Sequence, residues 1–135
     1  MADLLKLEMV TPYKRVLSEE VDEIVAPGVA GELGFLPGHT PLLTTLKIGE
    51  LTYRKGSSYF HVALNWGYVE IEDDKVTILA ETAEPADQID IARAKEALGR
   101  AEDALKKLHE DDKQFKIMEA ALQRAIIRIQ VANGK

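Results

Sequence analysis

The last fifty residues most constrain what this chain can fold into, because their apolar side chains recur every three or four positions. That spacing places them on one face of a helix. It occurs in two runs: Ile91, Ala94, Leu98, Ala101, Leu105 and Leu108, and then Phe115, Met118, Leu122, Ala125, Ile129 and Ala132. The segment 109–113 between the runs has no apolar residue and is short enough to turn the chain back. The pattern therefore predicts an antiparallel two-helix hairpin over residues 86–135.

Residues 1–85 have the period of β-strands. Leu5, Leu7 and Met9 alternate with polar neighbours, and further short apolar runs are bounded by Gly, Asp, Ser or Pro. These runs predict strands over 19–26, 42–47, 50–55, 59–64, 67–72 and 75–80. Many short strands at close intervals are typical of a sandwich or flattened barrel. The sequence thus predicts a β-sandwich over 1–85 and a helical hairpin over 86–135, with Asp87 as the N-cap of the first helix and a hinge near it.

The composition excludes several classes of protein and site. The chain has no cysteine, which excludes disulfides, thiolate zinc sites and cysteine nucleophiles. No apolar run approaches the roughly 18 residues of a membrane span, and the first residues lack the pattern of a signal peptide. The sequence has no GxSxG, P-loop, GxGxxG or HExxH signature, and His39, His61 and His109 lack metal-ligand spacing. These observations predict a protein that is not an enzyme and requires no metal.

The net charge of −6 is unevenly distributed. Residues 1–85 contain 7 basic and 14 acidic residues, whereas residues 113–135 contain five basic residues and one acidic residue. Such an acidic body argues against duplex nucleic acid as the main ligand. The basic last helix suits an acidic protein surface or a nucleotide phosphate, although a solvated surface helix would have the same composition.

One edge of the predicted hairpin carries a cluster of charged side chains. When Ile91 and Phe115 take the same heptad position, this edge contains one carboxylate and four guanidiniums, from Asp90, Arg93, Arg100, Arg124 and Arg128. Arg93 then lies opposite Arg128, and Arg100 lies near Arg124. Planar guanidinium forks suit the oxygens of a polyphosphate. The alternative is a solvated edge, whose arginines pair with acidic residues of the hairpin itself: Glu96, Glu102 or Glu119.

The segment 28–41 contains four glycines and two prolines, which predict a loop with positive-φ turns. Its apolar residues Leu33, Phe35 and Leu36 predict that the loop either folds inward or meets a partner. His39 follows a Pro-Gly turn, where a hydrogen bond to a local carbonyl is the simplest interpretation of it.

Two motifs carry a resemblance to a known family. Residues 31–43 read GELGFLPGHTPLL, and residues 89–94 read IDIARA. The first resembles the GELGxxPGHxPLL loop of the epsilon subunits of rotary F-type ATP synthases. The second resembles the I/L-D-x-x-R-A motif with which many bacterial members of that family hold ATP. The resemblance covers essentially the whole chain.

The resemblance implies a ten-stranded β-sandwich followed by an antiparallel hairpin, in a non-catalytic subunit of the central stalk. The sandwich would grip the gamma subunit and contact the c-ring, with Glu32 and His39 near the junction of the two. The protein would lie peripherally at the cytoplasmic face of the plasma membrane, or at a thylakoid membrane. It would meet the membrane only through the complex.

The resemblance also implies a regulatory hairpin. Folded on the sandwich, the hairpin would permit ATP hydrolysis; extended along gamma, it would obstruct hydrolysis and approach the catalytic alpha and beta subunits. ATP, as a regulatory ligand of the folded form alone, would shift the population toward it. The residues that match ATP contacts are Glu84, Ile89, Asp90, Arg93, Ala94, Arg100, Arg124 and Arg128. The alternative is a purely structural rotor clamp, whose hairpin stays folded and binds no nucleotide.

Overall fold

The computed structural model describes residues 3–134, with the strands first and the helices last. The strands are β1 (Leu5–Val10), β2 (Arg15–Val21), β3 (Glu23–Gly28), β4 (Gly31–Phe35), β5 (Leu42–Leu46), β6 (Gly49–Lys55), β7 (Ser58–Glu72) and β8 (Lys75–Pro85). A short 3₁₀ turn (Ala86–Gln88) leads into α1 (Ile91–Lys107) and α2 (Lys113–Asn133). The class predicted from the two periods, a β-sandwich followed by two helices, is confirmed.

The two longest strands, β7 and β8, hold the sandwich together. β7 pairs with β6 through its first half, with β5 through its second half and with β8 along nearly all of its length. β1 runs parallel to the first part of β8 and antiparallel to β2, while β3 pairs with β4, β5 and β6. The inward faces enclose one apolar core, in which Leu5, Leu7 and Met9 of β1 have no exposed surface. The predicted alternation of β1 is therefore confirmed.

The prediction of ten strands is wrong, because the described chain forms eight. The sequence predicts a break between residues 64 and 67, yet β7 passes through it as one strand of 15 residues. At this point Trp66 adopts the left-handed region with φ 44°, which bends the strand while pairing resumes at Gly67. β8 likewise continues beyond residue 80 to Pro85. Two long strands thus take the place of several shorter ones.

Two other strand predictions also need correction. The segment 19–26 is not one strand, because a bend at Asp22 divides it between β2 and β3, which pair with different neighbours. The segment 28–41 is not entirely loop, since it contains β4 paired with β3. Phe35 at the end of β4 is fully buried in the core. Of the two alternatives left open for this segment, Phe35 follows the inward one.

The start of the first helix lies later than predicted. Asp87 falls in the 3₁₀ turn, and the N-cap of α1 is Asp90. The Asp90 carboxylate accepts a hydrogen bond from the backbone N–H of Arg93 at 3.1 Å. This bond satisfies one of the donors that the first turn of a helix leaves unpaired.

The two helices pack through small side chains. Ala94 and Ala101 of α1 and Ala125 and Ala132 of α2 are buried, at positions that the heptad assignment places on the seam. Alanine has no side chain beyond Cβ, so the helix axes can approach closely. The short link 108–112 turns the chain back, as the sequence predicts.

The hairpin rests on the outer face of the sandwich through α2. Val131 is fully buried against Ala63 of β7 and Ala86 of the 3₁₀ turn, and Ile89 and Ile127 pack around them. At the edge of this contact the Gln130 side-chain amide donates to a Glu50 carboxylate oxygen at 3.1 Å. The docking surface therefore has a small apolar centre and a polar rim.

Close packing of β7 against β8 predicts the effect of one substitution. A Cβ atom at Gly67 would lie 2.0 Å from the backbone oxygen of Leu79 and 2.9 Å from the Cα atom of Ala80. Backbone atoms of a paired strand cannot move aside cheaply, so Gly67→Ala should lower the free energy of unfolding by about 3 kcal/mol. Urea titration followed by circular dichroism measures this loss.

The matched control is Gly34→Ala in β4. A Cβ atom there would have no neighbour within 4 Å, and the change should cost less than about 1 kcal/mol. Equal losses in the two variants would contradict the close approach of β7 and β8.

Candidate functional site

A cleft of about 510 Å³ lies between the end of β8, the first half of α1 and α2. Seven of the eight residues that the family resemblance assigns to ATP line it: Glu84, Ile89, Asp90, Arg93, Ala94, Arg100 and Arg128. They come from three separate segments of the chain. The docked hairpin is what brings these segments together.

The α1 wall of the cleft follows from helical spacing. Asp90 caps the helix, and Arg93, Ala94, Ala97 and Arg100 follow at steps of one or three positions that keep them on one side of it. The two alanines leave room beside the helix because their side chains are short. The two arginines stand on either side of that space.

On the opposite wall, Arg128 of α2 is held by Glu84 of β8. The Arg128 Nε–H donates to a Glu84 carboxylate oxygen, and both side chains are about one-third exposed. The negative charge of Glu84 is therefore balanced by the Arg128 guanidinium within the cleft. Guanidinium carries five N–H donors, so four remain on the Nη atoms of Arg128 for another acceptor.

Arg93 and Arg100 have exposed side chains and form no ion pair within residues 3–134. The alternative interpretation of the sequence, in which the arginines pair with Glu96, Glu102 or Glu119, is not what the described residues show. Three guanidiniums and two carboxylates line the cleft, so its formal charge is positive. This charge and the unoccupied donors suit an anionic ligand.

Arg124 is the one predicted ATP contact that does not line the main cleft. It borders a small adjoining cavity together with Asn65, Thr82, Ile127 and Arg128. Thr82 and Arg128 line both spaces. Arg124 therefore lies one helical turn from the cleft, on the same side of α2 as Arg128.

The structure adds three lining residues that the sequence interpretation missed: Thr82, Gln88 and Ala97. Thr82 is two positions before Glu84 on β8, so strand alternation could have placed both on one face. Ala97 follows Ala94 by three positions on α1, and the helical period could have identified it. Gln88 directly precedes the IDIARA motif and has no further signal in the sequence.

The two residues predicted to contact partners, Glu32 and His39, lie elsewhere. Glu32 is exposed on β4, and His39 is in the turn before β5, with its ring edge-on to Phe35 at 5.0 Å. The His39 Nδ1 atom lies 2.6 Å from the backbone oxygen of Thr40, which matches the local role predicted for it. Neither a hydrogen bond nor an ion pair joins Glu32 to His39 in the described part of the chain.

A second concave surface, the apolar groove, lies on the outside of the sandwich, apart from the residues beneath the hairpin. It has a volume of about 720 Å³ and is lined by parts of β1, β5, β7 and β8. Trp66, Tyr68 and Leu79 are each about half exposed in it. Tyr68 and Leu79 are directly paired across β7 and β8, so they form a continuous apolar surface. Contiguous exposed apolar surface of this kind marks an interaction site.

Within residues 3–134, no group of three or more His, Asp or Glu side chains is arranged to hold a metal ion. In the same part of the chain, neither helix combines the length and the hydropathy that crossing a membrane requires.

Comparison with known sequences matches both parts of the chain. The family profile described as "ATP synthase, Delta/Epsilon chain, beta-sandwich domain" matches residues 4–86, and the "long alpha-helix domain" of the same family matches residues 87–133. The ATP synthase epsilon chain of Geotalea uraniireducens is 69% identical, and that of Geobacter sulfurreducens is 67% identical. Each match spans 98% of this chain and 96% of the relative.

Solved structures give the same result. A chain in the structure of the Euglena gracilis mitochondrial ATP synthase, OSCP/F1/c-ring, superposes with a TM-score of 0.79 at 25% identity, over 96% of this chain and 81% of that one. A chain in the central stalk/c-ring structure of the Tetrahymena thermophila enzyme shares the fold, with a TM-score of 0.61 at 14% identity, over 97% and 98% of the two chains. The chain therefore belongs to the ATP synthase delta/epsilon chain family, as a non-catalytic subunit of the epsilon type.

Proposed function

We propose that this protein is a central-stalk subunit that couples rotation to ATP synthesis and regulates ATP hydrolysis through an ATP-sensitive hairpin. The gathering of three guanidiniums, from two helices, in one cleft beside the sandwich carries the regulatory part of the proposal. Family membership over the whole chain supports the stalk part. In this role the protein lies peripherally at the cytoplasmic face of the membrane.

In this proposal the sandwich binds the rotor. The relatives of known structure come from assemblies that contain the c-ring, and the apolar groove offers an exposed apolar surface for a stalk partner. We assign the groove to the gamma subunit. Glu32 and His39 remain our candidates for the junction with the c-ring.

The hairpin is the ATP-sensing part. A cleft of about 510 Å³ is within the range of small-molecule sites, roughly 300–1,000 Å³. Arg93 and Arg100 from α1 and Arg128 from α2 would share the phosphates, so bound ATP would bridge both helices and the sandwich. Opening the hairpin would separate these groups and lose the binding energy. ATP would consequently stabilise the folded form, and loss of ATP would release α2 toward the catalytic alpha and beta subunits.

ATP needs only a small difference in binding free energy to shift the hairpin between its two forms. A tenfold shift of the folded-to-extended ratio needs about 1.4 kcal/mol of preference for the folded form. One charge-assisted hydrogen bond contributes about 1.5–3 kcal/mol. One or two arginine–phosphate contacts made only in the folded form would therefore suffice. A purely structural rotor clamp remains the alternative function, and it requires that the arginines bind no nucleotide.

Removing one guanidinium tests the ATP site. Arg93→Ala should weaken ATP binding by about tenfold to a hundredfold, because it deletes a charge-assisted contact from the open side of the cleft. Isothermal titration of the full chain, with and without magnesium, measures the dissociation constant. Lys107→Ala removes one positive charge from the same helix outside the cleft and should leave binding unchanged. An unaltered affinity for Arg93→Ala would refute this assignment.

Labelling tests whether ATP compacts the hairpin. The chain has no cysteine, so Tyr13→Cys on the sandwich and Asp111→Cys in the hairpin link provide the only thiols for a fluorescent donor and acceptor. Both positions are strongly exposed. Energy transfer should change with ATP concentration and saturate with the binding isotherm. A constant transfer signal together with no ATP binding would favour the rotor clamp.

A charge in the apolar groove tests the stalk contact. Leu79→Glu should prevent co-purification with the gamma subunit, because it places an uncompensated carboxylate in the middle of the apolar surface. Thr77→Glu adds the same group to the same outer face of β8 but outside the groove, and it should retain gamma. If the Leu79→Glu variant retained gamma, the assignment of the gamma contact to the apolar groove would be wrong.

A further inference from the structure

One turn of α2 is about as long as the distance between successive outward residue pairs on β7 and β8. On the outer face of β7 and β8, Ala63 pairs with Glu84 and the next outward pair is Asn65 with Thr82. Two such pairs are about 6.8 Å apart along the strands. Arg124 and Arg128 are one turn apart on α2, or about 6 Å. This spacing would allow each arginine to reach one cross-strand pair.

The two arginines differ in their partners. Arg128 donates to Glu84, which belongs to the first pair. Arg124 borders the small cavity above the second pair, which it shares with Asn65 and Thr82. Arg124 is one helical turn from Arg128, and the second pair is one outward position from the first, so an acceptor for Arg124 would lie in the second pair.

Asn65 provides an acceptor without a partner. It is 6% exposed, and its side-chain carbonyl oxygen is buried with no hydrogen bond among the described residues. A buried oxygen without a donor is destabilising, because it has lost its hydrogen bonds to water. The cavity beside it measures about 10 Å³, at the lower limit for one water molecule. A donor from a neighbouring side chain would remove this cost. Arg124 and Arg128 both line the cavity, but Arg128 already donates to Glu84, whereas Arg124 makes no side-chain hydrogen bond among the described residues.

We propose that Asn65 is a positioning residue of the nucleotide site, whose side-chain oxygen, unpaired among the described residues, accepts a hydrogen bond from Arg124 when the arginine side chain rotates toward it. This contact fixes one N–H of the guanidinium and turns the remaining donors toward the phosphates in the adjoining cleft. Arg124, which lies beside the cleft and not in it, would in this way contribute to the nucleotide site. The inference deepens the proposed function and rests on it.

A double-mutant cycle tests this role. ATP dissociation constants are measured for wild type, Asn65→Leu, Arg124→Ala and the double variant. Asn65→Leu should weaken binding about fivefold to tenfold in the wild-type background and have no effect in the Arg124→Ala background, because its action passes through Arg124. Asn133→Leu, an identical change at the exposed end of α2, is the control and should leave affinity unchanged.

Thermal unfolding without nucleotide separates this inference from the proposed function. If Asn65 and Arg124 are in contact, the melting-temperature changes of the two single variants will not add in the double variant. Equal effects of Asn65→Leu in both backgrounds, or additive melting temperatures, would overturn the inference while ATP binding stands. If wild type binds no ATP, the proposed function and the positioning role both fail. Should Asn65→Leu not fold, Asn65→Ser tests the same point, because serine lacks the side-chain amide oxygen.

Discussion

The docking of α2 on the outer face of the sandwich is the contact on which the candidate site depends. Its apolar centre is small, with Val131, Ala63 and Ala86 buried together. The Arg128–Glu84 pair lies at one side of it and the Gln130–Glu50 hydrogen bond at another. Because part-exposed polar contacts contribute little net free energy, the proposed separation of the hairpin from the sandwich would break few strong contacts. A ligand that bridges both parts would therefore have a large influence on whether they stay together.

The cleft owes its chemistry to the convergence of three segments. β8 supplies Glu84, α1 supplies Asp90, Arg93 and Arg100, and α2 supplies Arg128. No single segment supplies all three guanidiniums, so in the proposed function ATP binding would be linked in free energy to docking of the hairpin. This linkage is what distinguishes a sensor from a clamp built on the same fold.

The local patterns of the sequence predicted much of this arrangement. The heptad assignment placed Arg93 and Arg128 on one edge of the hairpin, and both line the cleft. Predictions failed where a long-range pairing overrides a local signal. Asn65-Trp66-Gly67 resembles a break, but pairing with β8 on one side and with β5 and β6 on the other continues the strand. Asp87 resembles an N-cap, but the turn that packs Ala86 against Val131 delays the helix to Ile91.

The sequence by itself determined the elements: a period of two over the first 85 residues, a period near 3.6 over the last 50, small residues along the seam and two motifs of one family. These features act over a few neighbouring positions, and the physics of strands and helices is sufficient to interpret them. Only the tertiary structure decided which face of the sandwich lies beneath α2. That choice joins Thr82 and Glu84 to the hairpin and places Asn65 and Arg124 around one small cavity. It depends on the fit of side chains 44 to 80 positions apart in the sequence, which no local period encodes.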